Sequence, residues 1–165
     1  MKNLIWIMAA VLIIAVIVCV LPLPSSVNKT VDGVWLRELA PEEPISISLN
    51  GTFYRYLVRN DKWKGTLKIP GVIEMKNDEK IELAVMRPVD GIYQASVFAY
   101  DRALNRFRVF GYLFFDKEMN TVVFDLEENI GGVIAAPATN ADEARAVIDA
   151  MPFGGIGLGR PRLTY

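Results

Sequence analysis

Residues 45–69 read ISISLNGTFYRYLVRNDKWKGTLKI. Apolar and polar side chains alternate through this stretch, interrupted at Asn50-Gly51 and Asn60-Asp61 by residues that favour positive φ. Read as two-residue hairpin loops, these dipeptides pair Leu49 with Thr52 and Arg59 with Lys62. Ile45, Ile47 and Leu49 then share a face with Tyr56, Tyr54 and Thr52, and across the second turn Tyr54, Tyr56 and Val58 meet Leu67, Gly65 and Trp63. Both turns select the same apolar face, which a one-residue slip would scramble. The expectation is three antiparallel strands, with an aromatic ring, Tyr56, lying over Gly65.

The opposite face then carries Ser46, Ser48, Phe53, Arg55, Leu57, Arg59, Lys62, Lys64, Thr66 and Lys68, with no acid within the strands. Like charges directly opposed across strands repel by a fraction of a kcal/mol each. Solvent and acids from elsewhere, such as Glu38, Glu42, Glu43 or Asp61, are one offset, and lysines also guard a sheet against edge-to-edge association. An anionic partner is the other: lipid headgroups, a phosphate-bearing wall polymer or an acidic protein surface. Arg55, Arg59, Lys62, Lys64 and Lys68 are therefore the candidate binding residues. Nucleic acid is not expected, because Tyr54, Tyr56 and Trp63 fall on the buried face, where they cannot stack on bases.

Outward from this segment, strand signals recur at Val31–Leu39, Ile81–Met86, Ile92–Tyr100, Arg106–Phe115 and Thr121–Leu126, each rich in β-branched or aromatic residues. Turn chemistry separates them: APEEP, KNDEK, PVDG, RALN and DKEMN. Both faces of 92–100 and 106–115 are apolar, so these strands are expected at the centre of the sheet, covered twice. One helix is signalled over 140–151. Asn140 and Glu143 have capping-box spacing, Ala144, Val147, Ile148 and Met151 form one apolar stripe, and Pro152 stops the run. That stripe is expected to lie on the sheet or across a barrel mouth. The glycine-rich residues 153–165 follow a helix and precede none, unlike a phosphate loop, and read as a loose tail.

Leu4 to Leu21 is an unbroken apolar run of roughly 27 Å at about 1.5 Å per residue, close to a bilayer's hydrocarbon thickness. It exceeds a secretory h-region, and PLPSS offers no small-x-small cleavage site free of proline or leucine. Residues 1–24 are thus read as a membrane anchor, an uncleaved signal being the alternative, and 25–32 as a polar tether. Lys2 favours cytoplasmic retention of the amino terminus, placing the domain at 33–152 outside the cytoplasm in a single-pass protein. Cys19, within the run, is preceded by Val18 rather than the small residue of a lipoprotein signal. Asn28 and Asn50 match the N-glycosylation triplet, which matters only in a eukaryotic secretory route.

Composition narrows the chemistry. The 165 residues are 52% hydrophobic with formal net charge −1, so no molecule-wide field gathers nucleic acid. Absence of histidine excludes Ser-His and Cys-His nucleophiles and most zinc and iron sites, and the single cysteine builds neither a disulfide nor a thiolate cluster within the chain. No cofactor or metal is expected. A carboxylate hydrolase needs only two acids about 5–10 Å apart; Asp125 and Glu127, on one face of a strand, are the pair that fits best. The sequence reads as mainly β, a single antiparallel meander closing as sheet, barrel or sandwich, with one C-terminal helix and an N-terminal transmembrane helix. Its expected role is a non-catalytic, extracytoplasmic binding module, the alternatives being an envelope hydrolase and an assembly subunit of a membrane complex.

Overall fold

The computed structural model describes residues 6–8, 11–13, 20–37, 40–73, 81–86, 88–101, 106–127 and 131–152. Eight strands follow one another around a closed antiparallel barrel: β1 Leu23–Leu36, β2 Glu43–Arg55, β3 Asp61–Lys68, β4 Ile81–Val85, β5 Ile92–Asp101, β6 Arg106–Asp116, β7 Val122–Leu126 and β8 Val133–Ala136. After the strands, helix α1 spans Ala141–Asp149. The mainly β meander with one C-terminal helix is therefore what the chain forms, and it closes as a barrel. Residues 6–8, 11–13 and 20 are helical. No helix among the described residues is long and apolar enough to cross a membrane. Much of the 4–21 run, and the tail at 153–165, lie outside the described residues.

The interior is side chains. Among the described side chains, alternate residues of the strands point inward, and Trp63, Phe115, Phe124 and Leu49 have at most 1% of their surface exposed. Phe53, Tyr93 and Phe115 pack as an aromatic group, with Phe53 edge-on to both rings and Tyr93 stacked on Phe115 at 5.7 Å. Eight strands enclose a space that such side chains fill. Followed from Leu23 through Arg55, Asp61, Val85, Ala95, Leu113, Phe124 and Ile134, the ladder returns to β1 at Trp35, twelve residues beyond its start. That stagger tilts the strands and leaves β2 as the only strand laddered to residues 23–33 of β1, with the Asp32 carbonyl accepting from the Ala138 N–H and Lys29 Nζ donating to Asn120 Oδ1 beyond it. The β1–β2 ladder consequently projects past one end of the closed barrel.

Three features differ from expectation. Asn50-Gly51 is not a turn: β2 runs straight through it, because Gly51 lies directly opposite Gly65 on β3 and the two backbones meet there without side chains between them. The continuous strand reverses the faces downstream, so Phe53 is buried and Tyr54 and Tyr56 are half-buried on the outer side. The ring over Gly65 belongs to Trp63, not Tyr56. Residues 25–32, expected as a tether, are part of β1, with Val27 and Val31 packing on the core. In β5 and β6 a bulge between Val97 and Phe98 shifts the register, and Tyr93 and Ala95 share the interior with Phe115 and Leu113.

Helix α1 forms as its capping residues dictate. Asn140 Oδ1 accepts from the Glu143 N–H at 3.0 Å, while the Glu143 carboxylate accepts from both the N–H and the hydroxyl of Thr139. Glu42 accepts from the Ala141 N–H at 2.7 Å, tying the β1–β2 connection to the helix start. Ala144, Ile148 and Met151 pack on the outer side of the barrel against Val34, Leu36, Val133 and Ala135. The helix thus covers the wall where the first and last strands join, leaving both barrel mouths uncovered by it.

Candidate interaction surface

Side chains alternate strictly along β3, with Trp63, Gly65 and Leu67 inside and Lys62, Lys64, Thr66 and Lys68 outside. Three of the five candidate cations therefore stand in one row on the barrel wall, successive outward positions being about 7 Å apart. Their neighbours across β2 are Tyr54, Thr52 and Ser48, none of them charged. No cation opposes a cation here. The repulsion expected from tight hairpins is absent, because the second turn spans residues 56–60 instead of two residues. Across β4, Glu82 lies opposite Lys64 and forms an ion pair with Lys62. Its hydrogen bond and charge contact with Lys62, aided by Lys64, hold the Glu82 carboxyl below the usual glutamate range. Lys64 and Lys68 are exposed.

Arg55 and Arg59 stand apart from this row. Arg55 ends β2 on the inner side, two residues beyond Phe53, with its guanidinium 5.6 Å from the Phe53 ring centre. Its Nε is buried and makes no hydrogen bond within the protein. Arg59 lies in the 56–60 turn, its guanidinium stacked 3.7 Å above Tyr56. Asp61 Oδ1 accepts from the Tyr56 N–H at 2.8 Å and pins the turn. The five cations thus divide into a lysine row on the wall and two arginines at the projecting end.

The two candidate acids lie at the end of β7. Asp125 points outward from β7 between Tyr112 of β6 and Val133 of β8, where burial raises its pKa above the usual aspartate value. Glu127 lies one residue past the end of β7, its N–H donating to the Phe110 carbonyl in continuation of the β6–β7 ladder. Among the described residues no three acids or cysteines gather as a metal site. An open cleft of about 460 Å³ borders Asp32, Glu43, Ser46 and Thr139 on the wall beside α1. Asp32 there accepts from the Ser46 hydroxyl at 2.7 Å. Asn28 and Asn50, the two glycosylation triplets, are exposed and directly opposite one another across β1 and β2.

Sequence reasoning placed Leu57 outward but Val58 inward, and missed that both stand exposed in a turn at the projecting end. The available signal was two consecutive apolar residues within a turn, where turn chemistry favours polar ones. No protein-family model, curated protein or solved structure matches this chain.

Proposed function

We propose that this chain is a membrane-anchored, extracytoplasmic β-barrel that works as a non-catalytic binding module for an anionic partner. The observation that carries this reading is the outward row of Lys62, Lys64 and Lys68 on β3, with Glu82 the neighbouring acid and uncharged β2 residues alongside. The interior supports it from the other side: the barrel is filled by Trp63, Phe53, Phe115 and Phe124, which directs recognition to the outer wall and the rims. The apolar run at 4–21 supports the anchor, its length suiting a bilayer span.

A row of cations spaced about 7 and about 14 Å apart matches a polymer of phosphodiesters better than a single small anion, because each Lys acts as a separate point charge. With about 1 kcal/mol per cation near an anionic surface at low salt, reversing Lys64 and Lys68 should weaken association by at least tenfold. The test uses the full chain in zwitterionic nanodiscs, titrated with polyglycerol phosphate at low ionic strength. Binding that K64E/K68E weakens, and that rising salt also weakens, is the expected result. Equal binding by parent and variant, or none by either, removes this reading.

A further inference from the structure

Among the described residues from 20 onward, nine large apolar side chains are exposed, and seven of these lie at one end of the barrel. Val20, Leu21 and Leu23 lead into β1 there, with Leu23 paired to Arg55 at the far end of β2. The 56–60 turn extends the same ladder and carries Leu57 and Val58, 58% and 61% exposed. The β4–β5 connection reaches the same end and contributes Met86 and Val89. Phe98 and Val109, on β5 and β6, are the other two. Exposed apolar side chains gathered in this way mark an interaction surface.

Three observations identify the occupant. The chain enters the barrel at this end, directly from the apolar run, so anything holding that run is held against this face. Trp6, Ile7, Met8, Val11, Leu12 and Ile13 are helical and each at least 59% exposed, so the barrel does not provide their apolar surroundings. The turn also combines Leu57 and Val58 with Tyr56 and Arg59, an apolar tip backed by an amphipathic ring and a cation. That composition suits the boundary between acyl chains and headgroup phosphates. We propose that the projecting β1–β2 ladder and its 56–60 turn seat in the interface of the bilayer that holds the amino-terminal run, with Arg59 at the depth of the phosphates. This rests on the anchor reading above. The barrel then stands on the membrane in one orientation instead of swinging from a tether, since β1 begins within two residues of the run.

The experiment places a nitroxide on Val58→Cys, and separately on Val109→Cys, in a Cys19→Ser background of the full chain. The chain is reconstituted in vesicles of phosphatidylcholine and phosphatidylglycerol. Relaxation by oxygen and by a water-soluble nickel chelate reports depth. The nitroxide at 58 is expected to favour oxygen over nickel at least threefold more than that at 109. Equal nickel access at both sites, with the chain retained through an alkaline carbonate wash, overturns the inference while leaving the anchor standing. Shielding of position 58 from both reagents means close contact with protein, a second copy included, and also overturns it. Release by carbonate defeats the anchor itself, and the inference falls with it. A second variant, L57E/V58E with the nitroxide on Val89→Cys, is expected to shift that site toward nickel access; no shift counts against the seating.

Discussion

Gly65→Ala tests why the 45–69 segment folds as it does. An ideal Cβ on Gly65 falls 2.2 Å from the Asn50 carbonyl oxygen, 2.6 Å from the Gly51 Cα and 2.7 Å from the Trp63 ring. The first two are backbone atoms of β2, which is held between β1, at Val27, and β3, at Gly65 itself. Neither neighbour yields without disturbing a ladder. Overpacking of this kind costs about 1–3 kcal/mol, while replacing a glycine restricts the unfolded chain and returns about 0.4–1 kcal/mol. With two of three clashes against backbone, the net loss should be about 2 kcal/mol, a sizeable part of a domain stability of about 5–15 kcal/mol. At roughly 3–5 °C per kcal/mol for a domain of this size, the melting midpoint falls by about 6–10 °C. Urea unfolding of the full chain in mild detergent, followed by tryptophan fluorescence, measures the change, since Trp63 packs on the substituted residue. Thr66→Ala, on the outer side one residue away, serves as the control and should move stability by less than about 0.5 kcal/mol. A Gly65→Ala midpoint equal to or above the parent's would refute the account of two backbones meeting at the Gly51–Gly65 pair.

Burial raises the Asp125 pKa, so the folded state holds its proton more tightly than the unfolded chain does. Stability is therefore lost as pH rises past the ordinary aspartate value of 3.8, and Asp125→Asn should be more stable than the parent at pH 7 and indistinguishable from it at pH 3. Denaturant midpoints at the two pH values check this; a variant less stable at pH 7 would show that the carboxylate has a favourable partner. Asn140→Ala removes the acceptor of the Glu143 N–H and should cost about 1 kcal/mol. The loss should appear in hydrogen exchange of the first turn of α1 before it appears in that of β3.

How much of this was legible in the sequence depends on where side-chain alternation survives. Ile45, Ile47 and Leu49, then Trp63 and Leu67, alternate cleanly with polar residues, and their inward positions follow from periodicity alone. Asn50-Gly51 carried a strong turn signal for a local reason, positive φ, but the glycine serves a non-local one, room for Gly65 on the next strand. Only the pairing partner distinguishes the two. β8 escaped notice because Ile134 and Ala136 face the interior while Val133 and Ala135 lie under α1, so burial on both sides erases the alternation. The cap of α1 was readable because it is local: Asn140, Glu143 and the apolar stripe are all within twelve residues. Among the candidate cations, Lys62, Lys64 and Lys68 share one face because β3 is a single regular strand. Arg55 and Arg59 were grouped with them only through a turn that the chain does not make.

The ring of strands is joined by its first and last members. β1 meets β8 through Val34, Trp35 and Leu36 against Ala135, Ile134 and Val133, a seam of three residue pairs, and α1 lies across it like a latch. Everything before β8 curls as an open sheet whose apolar concave side has no lid. A chain synthesised from its amino terminus must therefore add about a hundred residues after β1 before the circle shuts, and that interval is when a foreign strand has its best opportunity to take the place of β8.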